Sequence, residues 1–201
     1  VWDEFRRHPG ACLPAHLYFH VPLCSYVGHF CNSVKRLAPK GAALEASLDR
    51  WTDLLIDESR RYLEAVPWLG AARIESLFLG GGTASLLRGR HLGRIAEHVA
   101  RHYHLAADCE ATLEGNPDNF QNGEIQAAID LGFNRFSIGV QSLDSRVNRF
   151  AGREHDRDMS LRAIAKLGAT GLPFNVDIMF GLPFQTVASV AEDMRVLVGE
   201  G

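Results

Sequence analysis

Short, almost uninterrupted apolar runs alternate along the chain with segments in which apolar residues recur every three or four positions, a pattern that predicts strands joined by helices. The first strand is expected over residues 17–22, where Pro22 ends it. After Pro39 and Gly41, Leu44, Leu48, Trp51, Leu54 and Leu55 share one helical face from Ala42 to about Leu63. Glu45, Asp49, Asp53 and Arg60 fall on the wet side. The same alternation then predicts strands over Ile74 to Leu79, Glu110 to Leu113, Arg135 to Val140 and Phe174 to Phe180. Between them come helices near Leu92 to His102, Asn119 to Leu131 and Asp158 to Leu167, and a last helix spans about Val187 to Val198. Residues 1–15 read as an irregular lead-in, broken by Pro9, Gly10 and Pro14. Five strand signals alternating with helices specify an α/β chain with a parallel sheet, either doubly wound or a complete or partial barrel. Both layouts put chemistry at the carboxyl ends of the strands.

Composition narrows the class. With 201 residues, 46% hydrophobic and 22% charged, the chain suits one core, expected over residues 16–201. A net charge of −3, from 21 basic and 24 acidic residues, gives no electrostatic footprint for nucleic acid or an anionic membrane. No apolar run is long enough to span a bilayer, and VWDEFRRHPG lacks the features of a secretory signal. A cytoplasmic location follows as the expectation, with Cys12, Cys24, Cys31 and Cys109 acting as ligands or core residues rather than staples.

The strand ends carry the candidate chemistry. Gly80, Gly81, Gly82 and Thr83 allow close backbone approach to an anionic group, or simply a tight turn; they match neither a GxxxxGK[ST] loop nor a GxGxxG fingerprint. Cys24 and Cys31 are soft ligands suited to an iron-sulfur cluster or zinc, or a structural pair. Cys109 reads as core, His20 as a satisfied strand histidine or a ligand contact, and His98, His102 and His104 as solvent-facing. Asp177, a carboxylate inside the strand NVDIMF, calls for a partner such as ribose hydroxyls; Glu114 and Gln141 could read an amino group or sugar.

YFHVPLC, SLFLGGGTASLL, TLEGNP, GFNRFSIGVQSLD, GREH and NVDIMFGLPFQT occur in an order that resembles the N-terminal part of radical S-adenosylmethionine enzymes of the oxygen-independent coproporphyrinogen III oxidase-like group. That group includes heme chaperones, anaerobic heme-degrading enzymes and class C methyltransferases, and LEGNPDNF with GGGTASLL leans toward the last two. The resemblance implies a partial TIM-type (βα)6 barrel truncated after about five units, without the final strand and the C-terminal substrate domain. It also implies a [4Fe-4S] cluster, S-adenosylmethionine cleaved to a 5'-deoxyadenosyl radical, a tetrapyrrole or natural-product substrate, a flavodoxin- or ferredoxin-like electron donor, and a monomer. Carried over by residue, Cys24 and Cys31 are the first and third cluster ligands and Tyr18 stands beside them. Phe30 packs near adenine, with Met179 in the same wall. Gly81, Gly82 and Thr83 meet the methionyl end, while Glu114, Gln141, Arg153 and Asp177 hold other cofactor groups.

Two departures stand out from that pattern. The middle position of C-x3-C-x2-C is Gly28, which offers no ligand, although His29 is adjacent; Ala84 replaces a common proline. An altered residue, a chain that binds S-adenosylmethionine without cleaving it, and an enzyme with an external ligand all remain open readings, as does a heme-binding protein without radical turnover.

Overall fold

The computed structural model describes residues 2–7 and 14–199. Five parallel strands form one sheet in the order β1 (Pro14–Val21), β4 (Arg73–Gly81), β5 (His104–Gly115), β6 (Arg135–Gln141) and β7 (Phe174–Ile178). The crossovers carry α2 (Ala42–Ala65), α3 (Gly89–His102), α4 (Glu124–Asp130), α5 (Ser145–Phe150) and α6 (Arg157–Gly168), and α7 (Val187–Gly199) follows β7. Two short strands, β2 (Leu23–Cys24) and β3 (Arg36–Leu37), pin the ends of the cysteine loop together.

Strand periodicity explains how the core forms on one side. Leu17, Phe19, Leu79, Leu113, Phe136 and Ile138 point to the helix-covered face and are buried. Successive residues point the other way, so the opposite face carries polar groups: His16 bonds Ser76 at 2.8 Å, and Asn175 donates to Ser137 at 2.9 Å. The buried face holds the sheet together, and the polar face is left for function.

Several boundaries differ from the sequence expectation. Within the lead-in, Trp2–Arg7 forms helix α1, with acidic residues in its first turn and basic ones in its last, as the helix dipole favours. Strand β1 begins at Pro14, where an edge strand tolerates the missing N–H; Cys12 lies outside the described residues. Strand β5 is longer than its apolar segment because its polar positions face outward from the sheet. Helix α4 starts late: Pro117–Asn119 makes a 3-10 turn, and Gly123 takes φ 81° before the helix begins. Strand β7 stops at Ile178, and Gly181 at φ 82° turns the chain.

His98 also departs from its expected exposure, being only 6% exposed, whereas His102 and His104 do face solvent. Its Nε2 meets Ser59 Oγ at 2.9 Å, and that hydroxyl meets the Tyr103 hydroxyl at 2.7 Å. Cys109 is half-buried against the core in the middle of β5 rather than at its start. His91 is fully buried; its Nδ1 accepts from the Arg88 N–H at 3.3 Å, so Nε2 carries the proton toward Asp49 Oδ1 at 3.1 Å. Burial first, and neighbouring cations second, hold both His91 and His98 below the ordinary imidazole value of 6.5. Folded-state values below the unfolded one mean stability that is complete above pH 6.5 and lost as pH falls through and below it. Urea midpoints should therefore decline on acidification below that point, and His91→Gln should flatten the decline; an unchanged slope would contradict this account.

Candidate functional site

The loops after the strands converge on one cleft of about 160 Å³. Cys24, Phe30, Cys31 and Gly28 line it from the cysteine loop; Gly81, Gly82 and Thr83 from the end of β4; Glu114 from β5 and Asn116 from just beyond it; Gln141, Arg153 and Asp177 from the far side. Tyr18 and Met179, the other two expected site residues, are not in its wall. The Tyr18 hydroxyl meets His20 Nδ1 at 3.0 Å on the open face, with its ring against Phe78. Met179 donates its N–H to Gln141 O at 2.9 Å and so fixes the strand end instead. His20 is half-buried, its Nε2 within 2.7 Å of Val34 O.

Glycine is required where backbone and ligand wall meet. A Cβ on Gly82 would stand 2.7 Å from Leu23 O and 2.8 Å from Cys24 Sγ. One on Gly80 would stand 2.4 Å from Glu114 Oε2, so the glutamate lies directly over a bare backbone. Glu114 accepts from the Gly81 N–H at 3.0 Å. Burial, with the Asp177 carboxylate adding to it, pushes Glu114 above its ordinary value despite that bond, His20 and Arg153. Asp177 accepts from Ser137 Oγ at 3.2 Å and from Asn175 Nδ2 at 3.0 Å, leaving it fixed but exposed at the cleft. Gln141 holds a left-handed φ of 70°, a conformation costing about 1–3 kcal/mol outside glycine. Its loop is secured by buried Asp193, which accepts from Ser142 Oγ at 2.8 Å and the Leu143 N–H at 3.1 Å.

Arg153, like Lys35, is a cation lining the cleft. Its guanidinium lies 5.6 Å from the Tyr26 ring centroid and 5.4 Å from that of Phe30, and donates to Asn116 Oδ1 at 2.7 Å. Among the described residues it makes no ion pair, and its Nε is buried without a partner. Tyr26, His155 and Asp193 were not singled out in the sequence; an aromatic residue inside the cysteine loop and the histidine of GREH were the available signals.

The two thiols differ. Burial pushes Cys24 up, partly offset by the Thr83 side chain, whereas hydrogen bonding at Ser33 and the nearby Lys35 ammonium outweigh burial at Cys31 and bring it below its ordinary value. His29 does not supply a further ligand to the cleft: its Nδ1 meets Phe150 O at 2.6 Å and its ring packs edge-on against Phe150. Among the described residues, no group of three or more His, Cys, Asp or Glu side chains could hold a metal ion. A three-thiolate [4Fe-4S] cluster therefore does not fit these side chains, while paired carboxylates, a guanidinium without a carboxylate partner, bare glycines and Phe30 do fit a zwitterionic nucleoside.

The Radical SAM superfamily pattern matches residues 20–197. This chain belongs to the radical SAM superfamily. Within it, the chain is 31% identical over 197 residues to anaerobilin synthase of Escherichia coli O157:H7, covering 98% of this chain and 43% of that one. It is 38% identical over 186 residues to the mitochondrial radical S-adenosyl methionine domain-containing protein 1 of Bos taurus, covering 92% and 40%. Heme chaperone HemW of Escherichia coli K12 is 32% identical over 183 residues, covering 90% and 47%. The chain thus spans less than half the length of these relatives. The radical SAM enzyme coproporphyrinogen III oxidase (HemN) of Escherichia coli superposes with a TM-score of 0.87 at 25% identity, covering 100% of this chain and 44% of that one. The sheet is accordingly that of a partial radical-SAM-type (βα)6 barrel.

Proposed function

We propose that this chain binds S-adenosylmethionine in the cleft, and that it does so without a three-thiolate cluster. The supporting observation is the Arg153 guanidinium, which has no carboxylate partner among the described residues and a buried Nε without a partner, lining the same space as Glu114 and Asp177. S-adenosylmethionine supplies a sulfonium centre whose carbon–sulfur bonds are activated for cleavage or transfer. Arg153 would hold its carboxylate and Glu114 its ammonium, each a charge-assisted contact. Asp177, already oriented by Ser137 and Asn175, would take the ribose hydroxyls; Phe30 would cover adenine, and Gln141 would read a remaining polar edge. With two thiols available, the reading ends at cofactor binding.

Isothermal titration should give saturable binding of S-adenosylmethionine to the chain as purified, weakened by about tenfold in Asp177→Asn, which loses charge-assisted contacts. Absence of binding, or equal affinity in the variant, would remove the assignment or the role of Asp177, respectively. Heme binding is the rival, drawn from the named chaperone relatives and favoured by the exposed Phe150 and Phe184 rings, edge to face at 5.5 Å. A shifted Soret band on heme titration, without any response to S-adenosylmethionine, would replace the first reading.

A further inference from the structure

Beside Arg153, Tyr26 lines the cleft and leads into a relay of side chains that runs away from it. His155, 3% exposed, places its Nε2 3.0 Å from Val140 O, so that nitrogen carries the proton and Nδ1 is left as an acceptor. The Tyr26 hydroxyl is 3.2 Å from that Nδ1 and 3.1 Å from Asp118 Oδ1. One hydroxyl proton therefore faces two acceptors, 92 and 129 positions away in the sequence, and the phenol is anchored whichever of them receives it. The ring of Tyr26, held at its hydroxyl, packs against Arg153 on one side; Phe30 packs against it too, and Asn116 takes one of its N–H groups.

We propose that Tyr26, anchored by His155 and Asp118, is a positioning residue that aims the Arg153 guanidinium at the carboxylate of the bound ligand. The inference rests on the S-adenosylmethionine reading above and specifies which ligand group the relay serves. A long, flexible arginine would otherwise lose rotamer freedom on binding; a guanidinium already confined between rings loses less. The effect of Tyr26 should therefore depend on the ligand possessing a carboxylate.

Titration of S-adenosylmethionine and its decarboxylated analogue, which keeps the sulfonium and amine, separates this role from a general structural one. Tyr26→Phe keeps the ring and removes the anchor. It should weaken S-adenosylmethionine by about tenfold, the scale of one impaired charge-assisted contact, and the analogue by less than about twofold. His155→Ala should behave alike, and His155→Gln, whose amide can donate to Val140 O and accept from Tyr26, should recover most of the loss. Thermal melting confirms that each variant is folded, and the analogue, bound by the same variant, provides an internal control. Equal weakening of both ligands, or of neither, overturns the positioning role while leaving cofactor binding intact. Failure of the unmodified chain to bind either ligand overturns the underlying reading and this inference together.

Discussion

Gly28→Cys is expected to convert the chain from one that retains little iron after anaerobic reconstitution into one that holds about four irons per chain with the absorption of a thiolate-bound cluster. The backbone is already arranged for that change. Gly28 lines the cleft between Cys24 and Cys31, and its φ is not in the left-handed range. A Cβ there would approach Phe30 Cε1 at 3.0 Å, Phe30 Cζ at 3.1 Å and Ala151 O at 3.3 Å. The closest atoms belong to a ring that can swing by a few tenths of an ångström, so the strain is of the modest overpacking kind, about 1–3 kcal/mol at most. The loop itself is docked: His29 donates its N–H to Ala151 O at 3.0 Å, and Cys31 donates to Gly28 O at 3.1 Å. Gly152, at φ 74°, packs so closely that a Cβ on it would be 2.9 Å from Val27 O. A third thiol would thus be presented by an ordered loop beside two existing ones. Equal iron content in the variant and the unmodified chain, measured alongside electron paramagnetic resonance of the reduced proteins, would show that residue 28 does not control cluster assembly.

Much of this architecture was legible because burial left a periodic mark. Helix α2 runs from Ala42 to Ala65, close to its expected span, since Gly41 marks its start and Leu48 and Leu55 repeat on the packed face. Strand β6 matches its apolar run almost residue for residue, being buried along nearly its whole length. Strand β5 begins six residues before the expected Glu110 because His104, Leu105, Ala107 and Asp108 are exposed, so its first half carries no apolar run to mark it. The strand-end rule brought Cys24, Gly81, Glu114 and Gln141 to one end of the sheet, and the structure places them around one cleft. It could not supply the partners that fix them. Tyr26 meets His155 across 129 positions of sequence, and Asp193 reaches Ser142 across 51; no local period encodes either pair. Exposure was similarly out of reach for His98, whose burial depends on Ser59 from another helix.

Glu114→Gln should have two opposite effects, stabilising the free protein at neutral pH while weakening S-adenosylmethionine by at least about tenfold, as expected for losing a charged hydrogen-bond acceptor. The carboxylate sits half-buried over Gly80 and is pushed up first by burial and then by Asp177. A folded-state value above the unfolded one favours the protonated form in the fold. Its contribution to stability is present below the ordinary value of 4.5 and is lost as pH rises through the raised folded value, so at neutral pH the ionised group opposes folding. Glutamine can still accept from the Gly81 N–H at its amide oxygen, but carries no charge to be desolvated or repelled by Asp177. The thermal midpoint of the variant should rise most clearly near neutral pH and converge with that of the parent in acid. A ligand ammonium would relieve the same penalty in the parent, which is why a group that is unfavourable in the empty cleft becomes favourable in the loaded one. Should the variant melt lower than the parent at neutral pH and bind S-adenosylmethionine equally well, Glu114 would be a structural acceptor for Gly81 and not the ammonium site.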